Sequence, residues 1–140
     1  MAFFRLLTLG FGAGAFGACI LSLLAFVLNR LGLPEQLGIA SPERPMPAAL
    51  YQIIVWGGIW GFLLVVPVLN RLWWLKGIII GLLATAALAI YFAPAIGQGP
   101  AIRLGYVVVL NALWGVAAGF WWTLTAGNRK NGRKYGSYMR

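Results

Sequence analysis

The stretch W-G-G-I-W-G-F-L-L-V-V-P, from Trp56 to Pro67, places two tryptophans, three glycines and a proline in an otherwise apolar run. Glycines four residues apart let two helix backbones approach closely, and such packing drives helix association in lipid. A proline removes a backbone donor and ends or bends the helix that precedes it. The stretch therefore predicts a membrane helix that packs through its glycines and loosens near Pro67.

Composition supports a lipid environment for the whole chain. Of its 140 residues, 61% are hydrophobic and only 9% are charged, whereas a soluble domain carries about 25% charged residues. Four apolar segments reach the roughly 20 residues that a membrane span requires, at about residues 4–28, 48–69, 72–92 and 104–126. The runs are continuous and do not alternate as barrel strands do, so we predict an all-α integral membrane bundle of four transmembrane helices.

The connections between these segments define a single unit. Residues 31–47 contain four prolines and both carboxylates of the chain, which predicts a polar, non-helical loop. The other two connections are short, which favours antiparallel neighbours. We expect the first segment to be retained, because its apolar run continues past Cys19. The predicted organisation is one transmembrane domain over residues 1–127 and a basic cytoplasmic tail over residues 128–140.

Basic residues are distributed unevenly between the two sides of the predicted bundle. One side carries only Arg30, Arg44 and Arg103, and the positive-inside rule places the richer side, with both termini, in the cytoplasm. The net charge of +9 is then a signal of topology, so we expect no nucleic-acid partner. The residues predicted to face anionic lipid are Arg71, Lys76, Arg129, Lys130, Arg133 and Lys134.

Each predicted span contains one pair of glycines four residues apart, which predicts a packing site in every helix. The predicted helix-packing residues are Gly10, Gly14, Gly57, Gly61, Trp60, Gly77, Gly81, Asn111, Trp114, Gly115 and Gly119. Asn111 is the one side-chain amide well inside a span. It is interpreted first as a hydrogen-bond donor to a backbone carbonyl or a facing helix, and alternatively as a contact to a quinone, pigment or lipid headgroup.

The second and fourth spans share a sequence pattern. L-N-A-L-W-G, from Leu110 to Gly115, resembles W-G-G-I-W-G, and both helices would run from the outer to the inner side. The chain can therefore be interpreted as two related helical hairpins around an axis along the membrane normal.

The scarce residue types exclude several chemistries. The chain has no His and no Asp, its carboxylates are Glu35 and Glu43, and its one cysteine is Cys19. Imidazole ligation of haem or zinc, a Ser-His-Asp nucleophile and an internal disulfide are therefore excluded. No ionisable residue is predicted deep inside a span, where proton pathways place them. We predict no catalytic residue, no bound metal and no cofactor.

At W-G-G-I-W-G and N-A-L-W-G the chain resembles a group of small bacterial four-helix inner-membrane proteins of uncharacterised function. In that group the first motif is followed by a proline near the helix end, here Pro67, and by a motif matching Trp74 to Gly77. The resemblance extends from Tyr51 to Trp122. It implies four spans and the bacterial cytoplasmic membrane, and it implies no activity.

These observations predict a non-catalytic multi-pass membrane protein. Its expected role is that of an accessory, structural or assembly subunit that packs against a larger membrane complex through glycine-rich helix faces. The alternative is a small transporter or channel component that acts as a homo-oligomer, with Asn111, Gln52 and Pro67 as the polar path. The expected partners are membrane lipids and either other membrane subunits or further copies of the chain.

Overall fold

The computed structural model describes residues 2–39, 47–69, 71–91 and 101–126. Every regular element in this part of the chain is helical, which confirms the predicted all-α class. The helices are α1 (Ala2–Arg30), α2 (Leu33–Gln36), α3 (Pro47–Gly61), α4 (Trp73–Tyr91) and α5 (Ala101–Ala126), and a 3-10 turn (Phe62–Val65) continues α3.

Among the described residues, three helices are long and apolar enough to cross a membrane, through the segments Phe3–Arg30, Trp73–Ile90 and Ile102–Ala126. The apolar segment of the remaining long element, Leu50–Val65, is shorter. Within the predicted second span, residues 48–69, the α-helix ends at Gly61 and a 3-10 turn continues it to Val65.

Pro67 explains where α3 gives way to the 3-10 turn and then to extended backbone. It has no N–H to donate to a preceding carbonyl, and its ring disfavours a helical conformation in the residue before it. Val66 is accordingly extended, with φ −59° and ψ 127°, and the last turn tightens into the 3-10 conformation. The loosening expected near this proline is thus a local change of helix type.

The described part of the first connection, residues 31–39, is partly helical, whereas a non-helical loop was predicted; residues 40–46 of that loop lie outside the described residues. It contains α2, and Pro34 lies buried in the first turn of that helix. A proline is favoured there because the first-turn amides have no helical acceptor. Gly32 precedes the helix with φ 70°, a left-handed conformation that costs glycine little.

The bundle consists of two antiparallel hairpins joined along one seam. In the first, α1 packs on α3, with Gly10 opposite Gly61; in the second, α4 packs on α5, with Gly77 opposite Gly115. The hairpins meet where α1 packs on α5. The described parts of α3 and α4 therefore lie at the outside of the arrangement and meet chiefly through the 3-10 turn.

Candidate functional site: the interhelical seams

The seam between α1 and α3 depends on glycine at several consecutive contact points. A Cβ atom on Gly10 would lie 2.9 Å from the carbonyl oxygen of Gly61, and one on Gly14 would overlap the carbonyl oxygen of Gly57. These neighbours are backbone atoms, which cannot rotate away. Larger residues would hold the two backbones apart, so the glycines set the distance between the helices.

The seam between α4 and α5 has the same construction. Cβ atoms on Gly77 and Gly115 would each overlap the carbonyl oxygen of the other residue, and a Cβ atom on Gly81 would overlap the carbonyl oxygen of Asn111. At the end of the seam, a Cβ atom on Gly119 would lie 2.9 Å from the Trp73 carbonyl oxygen. Every glycine named in the sequence analysis thus lies in a seam within this chain.

Trp114 lies where the two hairpins meet. Its side chain is only 4% exposed, and its indole N–H donates to the carbonyl oxygen of Gly14 at 3.0 Å. A Cβ atom on Gly17 would lie 2.8 Å from the Trp114 carbonyl oxygen, and one on Gly57 would lie 3.2 Å from the indole nitrogen. One side chain of α5 therefore packs against both α1 and α3.

Asn111 donates to the facing helix. Its side-chain nitrogen lies 2.9 Å from Thr85 Oγ1, and the Thr85 hydroxyl in turn donates to the carbonyl oxygen of Gly81 at 3.0 Å. This contact matches the first interpretation of Asn111. Thr85 was absent from the predicted site, although a hydroxyl one helical turn after Gly81 was a signal that could have identified it.

Two further residues belong to these seams and were not predicted. Gly17 lets α5 approach α1 closely. Gly58 leaves room for the ring of Phe11, which a Cβ atom on Gly58 would overlap. Neither was included in the predicted packing set, which followed the pairs of glycines four residues apart. Trp60, which was predicted as a packing residue, is partly buried against the core.

Lys76 corrects the predicted lipid-facing surface. Its side chain is 6% exposed, and its ammonium group donates to the carbonyl oxygens of Leu64, at 2.7 Å, and Val66. The residue three positions after Leu64 is Pro67, which offers no N–H, so the carbonyl at the end of the 3-10 turn accepts from a side chain instead.

The other predicted lipid-facing residues divide into two groups. Arg71 is exposed, as a surface role requires. The remaining four belong to the tail and lie outside the described residues: Arg129, Lys130, Arg133 and Lys134.

The residues of the alternative polar path do not share a seam. Gln52 is exposed on α3, Asn111 is bonded to α4, and Pro67 follows the 3-10 turn. Among the described residues, no group of three or more His, Cys, Asp or Glu side chains could hold a metal ion.

Comparison with known proteins finds no family model, no curated protein and no solved structure that matches this chain. The resemblance to small bacterial inner-membrane proteins therefore stays a prediction.

Proposed function

We propose that this chain is a non-catalytic, multi-pass membrane protein that serves as a structural or accessory subunit of a membrane assembly. One observation carries the proposal: within the described residues, every buried side-chain nitrogen and oxygen atom has a hydrogen-bond partner in the chain itself. A bundle whose interior polar groups are already paired has little chemistry left to offer a substrate there. Its outward surface, in contrast, is rich in large apolar side chains.

The length of α3 with its 3-10 turn supports a membrane span here, in addition to those of α1, α4 and α5. Its 15 α-helical residues rise about 22 Å at 1.5 Å per residue. The four residues of the 3-10 turn add about 8 Å at 2.0 Å per residue. The sum is about 30 Å, which equals the hydrocarbon thickness of a typical bilayer. The 3-10 turn thus compensates in length for the early end of the α-helix.

The distribution of Lys and Arg supports an orientation with both termini in the cytoplasm, and the predicted resemblance supports the bacterial cytoplasmic membrane. Cysteine labelling tests the orientation in intact cells. After Cys19→Ala, a cysteine at Arg71 should be protected from a membrane-impermeant maleimide, and one at Gln36 should react. The reverse pattern would contradict this orientation.

The glycine-rich helix faces do not form the surface that binds other subunits. Those faces are covered by the chain's own helices, because the glycines of each hairpin lie against backbone atoms of the partner helix. A subunit that binds from outside therefore contacts the outward faces, where large apolar side chains such as Val109 are exposed.

Gentle purification of a C-terminally tagged chain from native membranes tests the accessory role. The eluate is analysed by mass spectrometry and for quinones and pigments, with an unrelated tagged membrane protein as the control. Stoichiometric foreign membrane subunits, absent from the control, are the expected result. A chain that elutes without them and conducts a solute in proteoliposomes would overturn the proposal in favour of a transporter component.

A further inference from the structure

The outward face of α3 and its 3-10 turn carries a stripe formed by Gln52, Trp56 and Ile59 of α3 and by Leu63 of the turn. Their spacing of four, three and four residues places them on one side of the helix, and each is exposed. Gly57 and Gly61, which contact α1, lie on the opposite side. The described contacts of α3 are chiefly those with α1 and with its own 3-10 turn, so the stripe faces away from the helix on which α3 packs.

Trp56 lies at an unusual depth for an exposed tryptophan. It is 60% exposed. It lies midway between Pro47 and Val65, the two ends of the proposed span that α3 and its 3-10 turn form together. Tryptophans that face lipid are enriched at the interfaces, where the indole N–H reaches polar groups. At mid-span the hydrocarbon provides no acceptor, so an unpaired indole donor is costly there.

Gln52 adds a second polar group one turn away on the same stripe. Neither Gln52 nor Trp56 makes a side-chain hydrogen bond to a described residue. The corresponding groups inside the bundle, the Asn111 amide and the Trp114 indole, are both bonded to another helix. Among the described residues, the inward amide and tryptophan thus have hydrogen-bond partners, whereas the outward amide and tryptophan have none.

We propose that this stripe binds the same stripe of a second copy of the chain, around a two-fold axis along the membrane normal. Two copies inserted with the same orientation can adopt this symmetry, which places each residue near its own counterpart. A glutamine amide is both donor and acceptor and can therefore pair with itself, and its oxygen can also accept from an indole N–H. The stripe contains no charged side chain, so the pairing brings no like charges together.

This inference rests on the proposed membrane location, and it specifies one of the contacts that a structural subunit would make. Disulfide cross-linking in native membranes tests it, because Cys19 is the only cysteine. In a Cys19→Ala background, Ile59→Cys and Leu63→Cys are oxidised with copper phenanthroline. The matched controls are Leu113→Cys on α5 and Leu83→Cys on α4, which are also exposed at the level of the glycine seams.

The expected result is a disulfide-linked dimer for the two stripe variants and monomer for the two controls. Equal cross-linking of all four variants would indicate random collision and overturn the inference, as would the absence of any dimer. Cross-linking of Ile59→Cys to a foreign subunit would also overturn it, while leaving the accessory role intact. The purification experiment above tests that role separately.

Substitution of the polar residues gives a second measurement in detergent. Gln52→Leu and Trp56→Leu should each weaken dimerisation about three- to thirty-fold, the range expected for one interhelical hydrogen bond. The control Gln36→Leu, at an exposed position of α2 outside the stripe, should leave the dimer dissociation constant unchanged. A dimer that is insensitive to both α3 substitutions would place its interface on another face.

Discussion

The hairpin of α1 with α3 and the hairpin of α4 with α5 close on corresponding contacts. Alignment of the shared W-G dipeptides places Gly61 on Gly115, and each of these lies against a glycine of the neighbouring helix, Gly10 in the first hairpin and Gly77 in the second. The two hairpins therefore use one backbone-to-backbone packing mode at equivalent points.

They differ one turn further along the seam. Where the first hairpin has Gly57, the second has Asn111, whose side chain donates across the seam to Thr85. The glycine in the first hairpin leaves room for the indole of Trp114, which comes from the other hairpin. Asn111 thus stabilises its own hairpin with a hydrogen bond, whereas its counterpart Gly57 contacts the neighbouring hairpin.

The arrangement of the two hairpins is also unequal. An axis along the membrane normal would make the contact between α4 and α3 equivalent to the one between α1 and α5. In the structure α1 packs extensively on α5, whereas α4 meets the first hairpin's outer helix chiefly at the 3-10 turn, where Lys76 binds the Leu64 carbonyl. The likeness between the hairpins therefore lies in their internal contacts and does not extend to how they are placed.

Substitution of the seam glycines tests the shared packing mode and should have the largest effect on the free energy of unfolding. Gly14→Leu in the first hairpin and Gly115→Leu in the second should each destabilise the bundle by about 3 kcal/mol or more, because the new side chain overlaps backbone atoms. Thermal unfolding in detergent measures both. Gly12→Leu and Gly105→Leu are the controls, since a Cβ atom at either site meets nothing within 4 Å. Tolerance of only one of the first two substitutions would break the equivalence of the hairpins.

Removal of the Lys76 ammonium group, where α4 meets the 3-10 turn, should have a smaller effect on the free energy of unfolding. Lys76→Met should cost about 1.5–3 kcal/mol, because two carbonyl oxygens lose a charged donor. Hydrogen exchange should accelerate in residues 62–66 more than in α5. Arg71→Met, a change at an exposed neighbouring position, should leave exchange unaltered. Uniform acceleration throughout the bundle would show that this contact does not act locally.

The two aligned tryptophans provide the third test. Trp114→Phe removes the bond to the Gly14 carbonyl and should cost about 1–2 kcal/mol. Trp60→Phe, at the counterpart position, should cost less, because that side chain is only partly buried. Unfolding midpoints of the two variants in the same detergent give the comparison. Equal costs would argue that the indole bond contributes little to joining the hairpins.

The smallest effect concerns the hydrogen bond that distinguishes the second hairpin. Asn111→Ala should cost about 1 kcal/mol or less. A double-mutant cycle with Thr85→Val should show that the two changes are not additive, since both remove one hydrogen bond. If Asn111→Ala abolished function in cells while the bundle stayed assembled, a packing role would not account for this residue.

The features that could be predicted from sequence are those with a local signature. Continuous apolar runs indicated helices, three of which are long and apolar enough to cross a membrane, and the position of Asn111 inside a predicted span indicated a bond to a neighbouring helix. The choice of neighbours was not predictable, because every span carries the same glycine spacing and no local pattern distinguishes α5 from α4 as the partner of α1. Lys76 was placed on the surface for a related reason: its acceptors belong to another helix, whose end depends on Pro67.

The bond between Trp114 and Gly14 joins residues 100 positions apart in the chain. A ribosome therefore completes α1, α3 and α4 before the tryptophan that joins the hairpins exists. During synthesis the face of α1 around Gly17 must remain uncovered by its final neighbour, and a chain that stops before α5 never covers it. The packing of α1 is thus completed only when α5 has been made, which gives the cell a structural distinction between copies that contain α5 and copies truncated before it.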